Sequence, residues 1–311
     1  MRILAGEARA FIRDQPAAFL AYALYQPGLD LSAVMAQLDA ALAVAETKRS
    51  DGPHQAVLVT DEKLPKSSHE WFQLIRLALD QHWTMLGEFA VVNFNGQLLH
   101  HECPLRMKFE ENGEWLPAGH FLPIAKRLHL TRDLDLAAVA NGLNKLRANP
   151  LLVGLAINLS AMSIEDPQFR KSLMMQLYRY AAETKRLWVE VPEAGALRHI
   201  DQFRSFCREL KRVHCKVGLE HFGRQFSQIG QLHDIGLDYI KVDTSFIRGV
   251  DSNAGNQTFL KGVCSIAHSI GLTVIAEGVS SQAEFDTLEK LGFDGATGPS
   301  VKLPDGSSPA K

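Results

Sequence analysis

The 311 residues carry 33 Lys+Arg against 35 Asp+Glu, a formal net charge of −2, with 46% hydrophobic and 22% charged residues. That balance excludes a disordered chain and argues against a general nucleic-acid binder, which would show a basic excess. No run reaches the roughly 18 apolar residues of a membrane helix; Gly262 to Ala276 is interrupted by Ser265, His268 and Ser269. The amino terminus, Met1-Arg2-Ile3-Leu4-Ala5-Gly6-Glu7, lacks a signal-peptide core. Cys103, Cys207, Cys215 and Cys264 form no CxxC pair and read as reduced, buried thiols of a cytosolic protein.

The first 62 residues read as one region. An amphipathic segment leads to a short apolar run, Ala17 to Tyr25. An alanine-rich helix follows over Leu31 to Lys48, with Val34, Leu38, Ala41, Leu42 and Ala45 on one face. The turn Lys48 to Pro53 closes it, and Gln55 to Thr60 reads as a strand. The polar stretch 63–70, with Pro65, is the linker candidate.

Beyond it, short apolar runs alternate with helical stretches. The runs are Leu152 to Leu159, Leu187 to Val191, Val217 to Leu219, Tyr239 to Val242 and Leu272 to Ala276. The helices are Asp133 to Asn149, Gln168 to Thr184, Ile200 to Val213, Gln257 to Ile270 and Ser281 to Leu291. This alternation predicts βαβ units around a parallel sheet, and seven or eight repeats favour closure into a barrel. Gly87 to Asn93 and Gln97 to Leu105 flank Asn95-Gly96, a hairpin turn signal. The first strand pair is therefore expected to be antiparallel.

Active sites of such barrels lie at the carboxyl ends of the strands. Those ends carry Glu102, Asn158, Glu190 with Glu193, Glu220 with His221, Lys241 with Asp243, and Glu277. One acidic strand end is usually a solvated cap or ion-pair partner; six strand ends in sequence point to a site. Carboxylate and amide oxygens suit Mg²⁺, Mn²⁺ or Ca²⁺. Two such ions could activate a water and stabilise the leaving oxygen of a phosphodiester.

The motif His101-Glu102-Cys103-Pro104-Leu105-Arg106 resembles the E-A-L-L-R signature of EAL domains, which bind and often hydrolyse cyclic di-GMP. The likeness runs in order through Phe121 to Ala125, Ile157-Asn158-Leu159-Ser160 and Val189-Glu190-Val191-Pro192-Glu193. It continues through Phe222-Gly223, Asp238 to Asp243 and Ile275-Ala276-Glu277-Gly278-Val279. The resemblance implies an α/β fold, a modified (β/α)8 TIM-like barrel with an antiparallel first strand, over 71–305, leaving a tail at 306–311. It implies metal ligands at Glu102, Asn158, Glu190 and Glu220, with Lys241 near the attacking water and Glu277 as a second catalytic group. Ligand contacts are implied at Leu105, Arg106 and Asp135, and at Asn158, Glu190, Lys241, Glu277 and Gly278.

The departures decide the expected activity. Where active members have D-D-F-G-T-G, this chain has Glu220-His221-Phe222-Gly223-Arg224-Gln225. His221 replaces a carboxylate with an imidazole, a poor Mg²⁺ ligand. Cys103-Pro104 stands for Ala-Leu, Lys126 for an acidic residue, and Thr297-Gly298-Pro299 for Q-G-Y. The expectation is a cyclic di-GMP receptor that needs no cofactor to bind, the alternative being a Mg²⁺- or Mn²⁺-dependent phosphodiesterase yielding pGpG.

Leu38-Asp39-Ala40-Ala41-Leu42-Ala43-Val44-Ala45 is similar to the helix that closes GGDEF domains, so residues 1–62 are expected to be a partial, degenerate, α+β GGDEF-like segment. The whole is most similar to LapD-type receptors. The resemblance implies the cytoplasmic end of an inner-membrane protein, a homodimer or GGDEF contact through the barrel surface, a membrane-linked partner and no nucleic acid.

Overall fold

The structure is a computed structural model; it describes residues 67–224 and 230–301 and two strand segments, Ala21–Tyr22 and His54–Gln55. The chain divides into two compact units, one of residues 1–83 with 107–131, the other of 84–106 with 132–311.

In the first unit Ala21–Tyr22 pairs in parallel with His54–Gln55; Gln55 falls at the start of the strand expected over Gln55 to Thr60. The alanine-rich helix and the linker 63–66 lie outside the described residues. The helix Ser68–Asp80 starts at a reciprocal capping box, Ser67 with Glu70, which satisfies backbone donors that the first turn leaves open. Its buried residues Trp71, Ile75 and Ala78 recur at helical spacing, and Trp71 meets Phe109 edge-on at 5.3 Å. Residues 71–83 and 107–131, inside the barrel domain on the sequence reading, pack with this unit.

The second unit is a closed barrel of eight strands. They are β1 (Phe89–Val92), β2 (Leu98–Glu102), β3 (Leu155–Asn158), β4 (Leu187–Pro192), β5 (Lys216–Phe222), β6 (Tyr239–Val242), β7 (Thr273–Ala276) and β8 (Gly295–Ala296). β1 is antiparallel to both β2 and β8, while the remaining neighbours are parallel. The antiparallel start follows from the Asn95-Gly96 turn. Gly96 takes φ 77°, and the Asn93 side chain accepts from the backbone N–H groups of Asn95 and Gln97. The strand expected over Gln97 to Leu105 is broken at Cys103-Pro104, because proline supplies no ladder donor.

Alternation along the strands makes two cores. Outward residues such as Ile157, Val189, Val191, Val217, Leu219, Ile240 and Val242 pack against the surrounding helices. Inward residues form a separate cluster of Val91, Ala156, Trp188, Tyr239 and Ile275. All four cysteines are free and buried.

Gly218 shows how tight the interior is: a Cβ there would lie 2.3 Å from the Tyr239 ring. Gly218→Ala is therefore expected to lower stability by about 1–3 kcal/mol through overpacking, read as a shift of the urea midpoint at unchanged slope. No described helix is long and apolar enough to cross a membrane.

Candidate functional site

Each site residue sits two positions beyond an inward-facing one, so strand alternation alone carries it to the same face. His100 leads to Glu102, Ala156 to Asn158, Trp188 to Glu190, Gly218 to Glu220, Tyr239 to Lys241 and Ile275 to Glu277. The structure thereby brings together most of the residues singled out at the strand ends.

Lys241 is fully buried at the centre. Its Nζ lies 3.0 Å from Glu102 Oε2, 3.0 Å from Glu190 Oε2 and 3.6 Å from Glu277 Oε1. Burial disfavours the ammonium, but these carboxylates outweigh it and hold the lysine charged, well above its ordinary value. Burial also works to raise Glu190, yet Lys241 outweighs it and holds that carboxyl at about 2. Tyr239 donates its hydroxyl to Glu190 Oε1 at 3.0 Å. Glu102 is raised, chiefly by burial. Glu220 is pushed up to about 8 by burial, against the pull of His221 and Lys241.

The end of β5 is irregular where the site needs it. The β5–β6 register shifts between Leu219 and Phe222, and His221 adopts φ 55°, the left-handed region. Such backbone costs on the order of 1–3 kcal/mol and persists only where surroundings impose it. Here it turns the imidazole so that Nδ1 lies 3.0 Å from Glu277 Oε2 and 3.5 Å from Asp243 Oδ2. The bond to Glu277 raises His221 to about 9.

Glu193, the first residue of the helix Glu193–Arg198, accepts the backbone N–H groups of Gly223 and Arg224 at 3.3 and 3.1 Å. This glutamate grips the two residues that follow β5. Asp243 caps the helix Thr244–Ile247 through Ser245 N and also meets Arg224 at 3.2 Å. Burial would raise Asp243, but bonds from Ser245 and Arg224 outweigh it and hold the carboxyl below its ordinary value. Gly278 is required as glycine: at φ 69° a Cβ would fall 2.4 Å from Thr244 Oγ1.

Leu105 and Arg106 lie in the short strand Leu105–Met107 and are partly buried; a Cβ on Gly87 would come 3.2 Å from Arg106 Nε. Asp135, on the helix Thr131–Ala148, accepts Ser160 N at 2.9 Å. Burial pushes its carboxyl up to about 7.

Three neighbours of the site escape the sequence reading. His100 is fully buried, stacked on Trp188 with ring centroids 4.0 Å apart, its Nε2 3.8 Å from Glu190 Oε1. Tyr239 supports Glu190 from the position below Lys241. Arg224 stands out in the sequence only as a departure from the family motif. Alternation alone points to His100, two residues before Glu102 on one strand face.

A family profile described as EAL domain matches residues 90–304. The chain belongs to the EAL domain family. It is similar to the cyclic di-GMP phosphodiesterase PdeF of Escherichia coli K12, 27% identical over 223 residues, which is 71% of this chain and 30% of that protein. The chain thus spans under a third of that relative's length. In fold it matches Vibrio cholerae LapD S helix-GGDEF-EAL bound to c-di-GMP, with TM-score 0.83 and 21% identity over 97% of this chain and 73% of that one. The Xanthomonas citri FimX EAL domain in complex with c-diGMP matches with TM-score 0.68 and 26% identity, covering 74% and 91%. A manganese/cy-diGMP complex of Klebsiella pneumoniae BlrP1 matches with TM-score 0.60 and 26% identity, covering 70% and 54%.

EAL phosphodiesterases use Mg²⁺ or Mn²⁺; the first implied set offers an unpartnered amide oxygen, although Lys241 already holds Glu102 and Glu190 at 3.0 Å. Glu102, Glu190 and Glu220 offer carboxylate oxygens, and the buried Asn158 Oδ1 accepts no hydrogen bond among the described residues. An amide oxygen left bare in this way suits a hard cation. The fit to a second ion is poor. Ligand atoms of His221, Asp243 and Glu277 lie within 4.8 Å of one another, but Asp243 is already held by Arg224 and Glu277 by His221.

Proposed function

We propose that this chain is a receptor for cyclic di-GMP, binding it at the barrel mouth with little or no hydrolysis. The observation that carries the reading is the ownership of the site carboxylates by the chain's own donors. At the second-ion position Arg224 holds Asp243 and His221 holds Glu277. Hydrolysis by two metal ions needs those oxygens free to hold both ions about 4 Å apart. Binding needs only shape, stacking and phosphate donors. The c-diGMP complex of the FimX EAL domain supports the ligand.

In this reading Arg106 meets a phosphate with its planar fork, Leu105 and Gly278 line the ligand, and Asp135 offers its carboxyl to a guanine edge. Glu102, Asn158, Glu190 and Glu220 are a vestigial metal set, and Lys241 and Glu277 vestigial catalytic groups. Residues 1–62 are then a partial GGDEF-like segment, 63–70 a linker and 306–311 a tail, on the cytoplasmic side of an inner-membrane protein. A homodimer or GGDEF contact through the barrel surface would pass the signal to a membrane-linked partner. No nucleic acid is involved.

The second reading is an active phosphodiesterase using Mg²⁺ or Mn²⁺. The bare Asn158 Oδ1 favours it, as do relatives named phosphodiesterases.

Titration with cyclic di-GMP, in Ca²⁺ and in EDTA, tests the receptor. Saturable binding in both is expected; absence of binding in both contradicts it. Arg106→Ala is expected to weaken the affinity by about 1.5–3 kcal/mol, the scale of a hydrogen bond to a charged group. Unchanged affinity in the same titration contradicts the phosphate assignment.

A further inference from the structure

Arg224 enters the site through two independent contacts. Its backbone N–H donates to Glu193 Oε2 at 3.1 Å, next to the bond from Gly223 to the other oxygen of the same carboxylate. Its side-chain NH2 lies 3.2 Å from Asp243. The turn that delivers it needs glycine: Gly223 has φ 121°, and a Cβ there would lie 2.8 Å from the Phe246 ring. Gly223 and Arg224 are thus pinned by Glu193, with Gly223 close to Phe246, and the Arg224 side chain meets a carboxylate only 7% exposed. The Arg224 side chain as a whole is 41% exposed, so it reaches this carboxylate from the solvent side.

A mouth lined by Glu102, Glu190, Asp243 and Glu277 repels phosphates unless cations balance it. Lys241 answers Glu102 and Glu190 from below. Toward solvent, the permanent positive charge beside Asp243 is Arg224, since arginine does not deprotonate in proteins. His221 Nδ1 stands against the same Asp243 and against Glu277 at 3.5 and 3.0 Å. A divalent ion would have to displace both contacts before reaching these oxygens.

We propose that Arg224 is a built-in counter-cation, clamped on Asp243, that closes the second-ion position and lets the mouth hold a phosphate ligand without a metal. The ligand half of the inference rests on the receptor reading above; the closure half does not.

The test uses the whole chain as Arg224→Met, Arg224→Gln and Arg224→Lys. Mn²⁺ alone is titrated first, without nucleotide, and free Mn²⁺ is followed by electron paramagnetic resonance. The neutral variants are expected to bind Mn²⁺ about tenfold more tightly than wild type or to take one further ion, since a like charge has gone. Arg224→Lys is expected to behave as wild type. Cyclic di-GMP is then titrated in EDTA. There the neutral variants are expected to lose roughly five- to tenfold in affinity, and to regain it when Mn²⁺ replaces EDTA. Equal Mn²⁺ binding in wild type and both neutral variants overturns closure. Unchanged nucleotide affinity in EDTA overturns the counter-cation role. If wild type binds no cyclic di-GMP, the receptor reading and with it the ligand half fall, while the Mn²⁺ comparison still decides closure.

Discussion

Lys241→Met is expected to cost about 3–5 kcal/mol of stability at pH 7, the penalty of stranding buried charges by removing one partner. Methionine keeps much of the lysine stem but offers no charge to Glu102 and Glu190, each 3.0 Å from the lost ammonium. Glu190 is fully buried, so without Lys241 its burial wins and its carboxyl shifts upward instead of staying at about 2. The sign of the pH effect follows. A carboxyl raised above its unfolded value of 4.5 costs stability increasingly as pH rises past that value. The deficit of Lys241→Met is therefore expected to shrink between pH 7 and pH 5. Urea unfolding at both values measures it. Lys241→Met with Glu190→Gln should recover at least half, since glutamine still accepts from Tyr239. A cost below about 1 kcal/mol would show that the lysine is not the electrostatic centre of the barrel.

The second large effect has the opposite sign. Asp135→Asn is expected to stabilise the protein by about 2–4 kcal/mol at pH 8.5 and to be nearly neutral at about pH 4. Burial raises this carboxyl from 3.8 to about 7. The folded state therefore keeps a proton that the unfolded chain releases, and stability contributed at this position falls as pH rises from 3.8 toward 7. Above about 7 the cost is constant. Asparagine retains the acceptor for Ser160 N and carries no charge to bury. Thermal or urea unfolding of both proteins across this range tests it; an advantage independent of pH contradicts the assignment.

Much of the barrel and its site is legible in the order of residues, because the barrel obeys two simple periodicities. Strand ends carry chemistry two residues beyond an inward-facing position, apolar before Asn158, Glu190, Lys241 and Glu277, which is why these read with Glu102 and Glu220 as one ring. The antiparallel first strand is legible from Asn95-Gly96, a purely local signal. The role of His100 is not, although alternation places it on the face of Glu102, since only closure of the barrel buries it against Trp188. Nor is the role of Arg224. Its contacts with Glu193 and Asp243 join residues 31 and 19 positions apart, and only the bulged end of β5 brings them together.

In the proposed function cyclic di-GMP is bound and not turned over. The most direct test incubates the purified chain with cyclic di-GMP in Mg²⁺ or Mn²⁺, measuring the bound fraction and linear pGpG in the same samples. Saturable binding with no pGpG above a heat-inactivated control is expected; turnover on the order of one per second, within the ordinary range for enzymes, would overturn the receptor reading.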